Sequence, residues 1–204
     1  MSRSRQREWV TDILESVPSI LFLALWRSNA DMELAGWAGA ALAMMVLIGF
    51  RLFRVPYNPI LLGINVHLLI ITPLIVTVFH FGAQELGKTL VASSHRGVLV
   101  TVLLVGCALT VFSRRGFIGV EGLPDPTRWT YSSVLLAASI ATVVWSFTYT
   151  GGPLLAIAVP IMALFGLRRL LIARWLDDGS NRIDGVIAAG AGSALAAESA
   201  NEAL

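Results

Sequence analysis

The sequence is poor in charged residues. Only 14% of its 204 residues are charged, against about 25% in a typical soluble domain. Hydrophobic residues make up 56% of the chain, and the mean hydropathy is +0.74. These values exclude an ordinary soluble domain and predict a protein that crosses a membrane several times.

Residues that carry catalytic or metal chemistry are also scarce. Cys107 is the single cysteine, so the chain can form no internal disulfide, and we expect a small buried apolar side chain there. The three histidines lack the spacing of metal ligands. Nucleophile-elbow, phosphate-loop, zinc-protease and CxxC patterns are all absent. We therefore predict no enzyme activity, no cofactor and no metal.

The basic residues have a topological explanation. A net charge of +2 and a pI near 9.1 could suggest a nucleic-acid partner. However, the arginines stand at the ends of apolar runs, where the orientation of membrane spans requires them. We reject nucleic acid as a partner and expect membrane lipids instead.

Continuous apolar runs favour helices over a β-barrel, whose strands would alternate apolar and polar residues. Residues 55–81 form a run of 27 residues without Lys, Arg, Asp or Glu, long enough to cross a bilayer. The fold class predicted is all-α: a polytopic bundle of about six transmembrane helices. The predicted spans are 13–27, 34–50, 57–81, 97–113, 129–149 and 152–167.

Three segments of this layout are less regular than the other spans. The apolar run at 17–26 is short, and a cleaved signal peptide with a small-residue site at 28–30 is the alternative to a retained first helix, which we favour. Residues 82–96 are more polar and are predicted to form a loop, part of it lying along the membrane surface. The uncharged run 129–167 is too long for one span, and its Gly151-Gly152-Pro153 predicts a helical hairpin.

The second predicted span is rich in small residues. Gly36 and Ala40, like Gly39 and Ala43, are four residues apart and allow close approach of a neighbouring helix. We predict that this span serves in helix packing.

The distribution of Lys and Arg predicts the orientation. With six spans, twelve basic residues fall on the side of the N terminus and three on the opposite side. The twelve are Arg3, Arg5, Arg7, Arg51, Arg54, Arg114, Arg115, Arg128, Arg168, Arg169, Arg174 and Arg182; the three are Arg27, Lys88 and Arg96. The positive-inside rule then places both termini in the cytoplasm. Accordingly, residues 1–12 are predicted as a cytoplasmic segment, 13–173 as the transmembrane domain and 174–204 as a mobile cytoplasmic tail.

Two polar stripes occur at membrane depth. Asn58, Asn65 and Thr72 recur every seven residues on the third predicted helix. On the fifth helix, Ser132, Ser139 and Ser146 recur in the same way, beside Thr142. The stripes could line a path for a small polar solute, or form hydrogen bonds between packed helices, which we favour.

Three titratable residues lie within or at the edge of the predicted spans. His67 lies inside a span, where an ionisable residue is a functional candidate. A proton-relay role and a neutral histidine bonded to a neighbouring helix are both possible, and we favour the second. Asp12 and Glu15 lie at the inner edge of the first helix, either solvated or paired with Arg51 or Arg54.

The order of these features resembles a known family. The run Val17-Pro18-Ser19-Ile20-Leu21-Phe22, the basic pair Arg51 and Arg54, Phe79-His80, and Arg114-Arg115-Gly116-Phe117-Ile118 follow one another. Over residues 13–172, this layout resembles the bacterial septation protein A family of small inner-membrane proteins. The resemblance implies a non-enzymatic protein of the cell envelope that works through membrane partners, and it supplies no catalytic residues.

Two functional hypotheses follow. The first is a scaffold or accessory subunit in envelope and division processes, associated with other membrane proteins or with copies of itself. The alternative is a small-solute transporter or substrate-binding membrane subunit that uses the polar stripes of helices three and five. The candidate residues for a pathway or for helix packing are Asn58, Asn65, His67, Thr72, Ser139, Thr142 and Ser146.

Overall fold

The computed structural model describes residues 13–22, 24–25, 32–53, 55, 57–152 and 155–177. The predicted segment 1–12, the candidate cleavage site at 28–30 and residues 178–204 of the predicted tail lie outside the described residues. Contacts within the chain define two units, Met1–Phe165 and Gly166–Leu204. The site described below lies in the first unit.

The described residues form helices and loops without strands, which confirms the all-α fold class. The helices are α1 (Ile13–Phe22), α2 (Met32–Phe53), α3 (Pro59–His80), α4 (Gln84–Phe112), α5 (Asp125–Thr148) and α6 (Leu155–Asp177). In this part of the chain, five helices, α2 to α6, are long and apolar enough to cross a membrane. The protein is therefore a multi-pass helical membrane protein, in which α1 is a shorter apolar helix.

Charged residues, an asparagine cap and a proline occupy the ends of α2 and α3. Glu33 lies in the first turn of α2 and Arg51 in its last turn, as the helix dipole favours. Asn58 caps α3, because its side-chain oxygen accepts a hydrogen bond from the Ile60 N–H at 3.3 Å, and Pro59 occupies the first turn. The helix α3 continues through Pro73.

The helices α2, α3, α4 and α5 pack in chain order, each against the next. Close approach depends on small residues, as predicted for α2. A Cβ atom at Gly36 would lie 3.0 Å from the Thr72 side chain on α3, and one at Gly39 would lie 3.1 Å from Phe22 on α1. Thus α2 contacts α1 through one glycine and α3 through the other.

The prediction of a loop at residues 82–96 was wrong. The helix α4 begins at Gln84, so most of this polar segment is helical. Its polar side chains bond within the helix: Lys88 pairs with Glu85 at 2.9 Å, and Ser93 donates to the Thr89 carbonyl at 2.7 Å. Polarity alone therefore does not end a helix here. The sixth helix is also longer than predicted and includes residues 174–177 of the expected tail.

The predicted division of 129–167 into two helices agrees with the structure, since α5 ends at Thr148 and α6 begins at Leu155. The connection between α4 and α5 is tightly built. Phe117 and Ile118 in this connection are fully buried, and Gly116 has the positive φ of +62° that glycine adopts without strain. The Phe117 ring packs against Gly106 of α4, where a Cβ atom would lie 2.8 Å from the ring.

Candidate functional site

Buried hydrogen bonds of Glu15, Asn58 and Asn65 join α1 to α3, and we call this contact the α1–α3 seam. Glu15 is only 1% exposed, and both its carboxylate oxygens lie 3.0 Å from the Asn58 backbone nitrogen, whose N–H they accept. The Asn65 side-chain amide donates to the Glu15 carbonyl at 3.1 Å. A solvated Glu15 was one of the two alternatives and is wrong. The carboxylate instead lies at the N-terminal end of α3, where the helix dipole favours negative charge.

The α3 stripe faces α1 and α2. The Asn65 side chain bonds to α1, and the Thr72 hydroxyl donates to the Gly36 carbonyl of α2 at 3.3 Å, whereas Asn58 bonds to α1 through its backbone N–H. All three side chains are buried. The Asn65 side-chain oxygen has no hydrogen-bond partner among the described residues. The stripe therefore takes part in helix packing.

The α5 stripe is also buried, but it does not meet the α3 stripe. Within the described helices, α3 and α5 each pack against α4 and not against each other. Thr142 and Ser146 donate to carbonyls of their own helix, those of Ser139 and Val143, at 2.8 Å each. The two stripes thus do not line one path between α3 and α5.

Ser132 and Ser139 form a matched pair for mutation. Both are fully buried on α5, but only the Ser132 hydroxyl oxygen accepts the Phe117 N–H, at 3.1 Å, whereas the Ser139 hydroxyl has no partner among the described residues. Ser132→Ala should lower the free energy of unfolding by about 1–2 kcal/mol, because it leaves that N–H buried and unsatisfied. Ser139→Ala breaks no such hydrogen bond and should therefore lower it less than Ser132→Ala does. Thermal unfolding in detergent measures both, and equal effects would contradict the assigned hydrogen bond.

His67 lies at the α3–α4 contact. Its Nδ1 atom is 3.1 Å from the Thr101 hydroxyl oxygen, and that hydroxyl donates to the Gly97 carbonyl at 2.9 Å. A Cβ atom at Gly97 would lie 2.9 Å from the imidazole Cε1 atom, so glycine is needed for this close approach. The contact to Thr101 supports a histidine bonded to a neighbouring helix. In the described part of the chain, no group of three His, Cys, Asp or Glu residues gathers as metal ligands would.

His67 also borders a cavity of about 450 Å³ between α3, α4 and the end of α5. Its lining includes His67, Ile70, Ser93, Arg96, Thr101 and Phe147. The Arg96 guanidinium carbon lies 5.4 Å from the centre of the Phe147 ring, a cation–π distance. We call this space the Arg96 cavity.

Arg96 was not predicted as a site residue. It was assigned to a loop and used only in the count of basic residues that predicts the orientation. In the structure it is inside α4. The sequence contains one signal of this, since residues 83–96 hold a single glycine, Gly87, and no proline, so nothing in them requires a break.

Cys107 also differs from expectation, because it is exposed on α4 rather than buried.

A second cavity, of about 920 Å³, adjoins Arg51 and Tyr57 near the start of α3. The Tyr57 hydroxyl donates to the Leu47 carbonyl at 3.1 Å. Burial raises the pKa of this phenol above its ordinary value despite the opposing effect of Arg51, so Tyr57 is protonated at neutral pH.

Comparison of the chain with protein-family models, with curated proteins and with solved structures finds no match.

Proposed function

We propose that this multi-pass membrane protein is a non-enzymatic scaffold or accessory subunit of the bacterial inner membrane, active in cell-envelope or division processes. The observation that supports it is the use of the α3 stripe: the Asn65 and Thr72 side chains donate to carbonyls of α1 and α2, and the Asn58 backbone N–H donates to the Glu15 carboxylate of α1. Polar groups committed to holding helices together favour a protein that presents surfaces to partners over one that conducts solutes. The resemblance of the layout to the septation protein A family points the same way.

Lipids and other membrane proteins are the proposed partners. Large apolar side chains are exposed along α2, among them Met45, Ile48, Leu52 and Phe53. In a membrane these side chains contact either lipid tails or apolar helices of a partner or a second copy.

A second candidate function is a small-solute transporter or substrate-binding membrane subunit. The Arg96 cavity supports it, because it brings two ionisable residues, His67 and Arg96, to one space between α3 and α4.

Two single substitutions separate these candidates. Asn65→Leu removes the α1–α3 hydrogen bond, and His67→Leu alters the cavity lining. If the protein is a scaffold, Asn65→Leu should change the set of proteins captured in a mild-detergent pull-down, while His67→Leu should leave it unchanged. Loss of solute uptake in the His67→Leu strain, with wild-type protein levels and partners, would favour the second candidate and contradict the first.

The proposed orientation has both termini in the cytoplasm, which requires α1 to cross the membrane as a sixth span beside the five long helices α2 to α6. Moving Arg96 from a loop into α4 lowers the basic count on the opposite side from three to two, Arg27 and Lys88, and so strengthens the positive-inside bias. Fluorescent-protein fusions at either end should both fluoresce, and alkaline-phosphatase fusions at either end should both be inactive. Active phosphatase at one end alone would contradict both the orientation and the even number of spans.

A further inference from the structure

The length of α4 places Arg96 inside the hydrocarbon layer. The 29 residues of α4 make a helix of about 42 Å, roughly 12 Å longer than the hydrocarbon core. Arg96 lies about 18 Å from the Gln84 end. Even if all the excess length of α4 projects at that end, Arg96 is still about 6 Å below the membrane boundary. The cavity it shares with His67 and Ile70, near the middle of α3, agrees with this depth.

No carboxylate balances this charge within the described part of the chain, where the ion pairs are Lys88–Glu85, Arg115–Glu121 and Arg128–Asp125. The Arg96 Nε atom is buried without a hydrogen-bond partner among the same residues. The Phe147 ring lies over one face of the guanidinium, and its carbon atoms cannot accept the in-plane N–H groups as an oxyanion would. A guanidinium in this setting is costly unless an anion accepts its hydrogen bonds.

Arg96 is the cavity residue available to bind an anion. The hydroxyl hydrogens of Ser93 and Thr101 are donated to the Thr89 and Gly97 carbonyls of α4. The remaining lining is largely apolar and includes Ile70, Ile71 and Val100, and both Ile70 and Phe147 are more than half exposed at its edge. The cavity is thus open to the lipid side, with one cation against an apolar wall.

We propose that the Arg96 cavity binds the head of an amphiphile that carries an oxyanion, a phosphate or a carboxylate. The planar guanidinium matches two oxygens of such a group. The first part of an apolar chain lies against Ile70 and Val100, and the rest of the chain extends into the bilayer. A volume of about 450 Å³ holds a head group and a short length of chain. This inference goes beyond the scaffold proposal and does not depend on it, because partner capture and amphiphile binding are measured separately.

Native mass spectrometry of the full chain in detergent tests the proposal with four probes: dioleoyl phosphatidate, oleate, dioleoylglycerol and inorganic phosphate. Wild type should bind at least one of the two anionic amphiphiles about 10- to 100-fold more tightly than neutral dioleoylglycerol. Phosphatidate binding identifies a membrane lipid as the source, and oleate binding a free amphiphile. Equal binding of anionic and neutral amphiphiles would overturn the proposal, as would inorganic phosphate binding as tightly as phosphatidate.

Three variants locate the site. Arg96→Gln should abolish the preference for the anionic probe, and Arg96→Lys should reduce it, because lysine keeps the charge without the fork. Ser93→Ala is the matched control in the same cavity and should bind as wild type does, since its hydroxyl donates within α4. If Arg96→Gln fails to fold by size-exclusion chromatography, the wild-type comparison and Arg96→Lys still decide. A preference unchanged in Arg96→Lys and Arg96→Gln would overturn the assignment.

Discussion

Replacing Glu15 by alanine is expected to lower the free energy of unfolding by about 2–3 kcal/mol. The substitution leaves the Asn58 N–H without its carboxylate acceptor at a position that is 4% exposed. It also removes a negative charge from the N-terminal end of α3. Because Glu15 is on α1, loss of its hydrogen bond should also weaken the packing of α1 against α3. The helix α1 is short, so it depends on such contacts to stay in place. Thermal unfolding in detergent and limited proteolysis around residues 13–25 measure the two effects.

Glu85→Ala is the matched control. Glu85 is also a glutamate in the polar part of a membrane helix, but its side chain is 90% exposed and pairs only with the exposed Lys88. Such a surface pair contributes at most about 1 kcal/mol, so this variant should stay close to wild type. Glu15→Gln keeps the shape and one acceptor oxygen and should fall between wild type and Glu15→Ala. Similar losses for Glu15→Ala and Glu85→Ala would contradict a structural role for the α1–α3 seam.

The helical class and most helix positions could be predicted from the sequence, because hydrophobicity over twenty residues responds directly to the bilayer. The helices α2, α3 and α5 begin and end within four residues of the predicted spans. The start of α4 could not be predicted in the same way. Helix length beyond the membrane depends on local hydrogen bonds, such as Ser93 to the Thr89 carbonyl, and these leave no hydropathy signal.

The candidate site was only partly predictable, for a related reason. The seven-residue recurrence of Asn58, Asn65 and Thr72 predicted a single stripe, and the structure has Asn58 as the N-cap of α3 with Asn65 and Thr72 buried along the helix. Periodicity does not say which helix these residues meet. The answer depends on α1 and α2, through the Glu15 and Gly36 carbonyls. Arg96 was missed because a charge beside an apolar run is normally an interfacial residue, and its depth becomes visible only when α4 is placed against α3.

The second large loss of stability is expected from a substitution at the contact between α3 and α4. A Cβ atom at Gly63 would lie 2.7 Å from the Val102 Cα atom and 2.9 Å from its Cγ2 atom. The first of these is backbone and cannot move aside by rotating a side chain, so any larger residue must separate the two helices. Gly63→Ala should therefore lower the free energy of unfolding by about 1–3 kcal/mol, although alanine is the better helix former. Gly63→Leu should lower it further.

Gly49 on α2 provides the opposite case, because nothing lies within 4 Å of a Cβ atom placed there. Gly49→Ala should leave stability unchanged or raise it by up to about 1 kcal/mol through helix propensity alone. The two alanine variants differ only in the space around the added methyl group, so thermal unfolding in the same detergent compares steric effect with propensity. A Gly63→Ala protein as stable as Gly49→Ala would show that α3 and α4 do not approach as closely as described. The Arg96 cavity, which these two helices form together, would then need a different geometry.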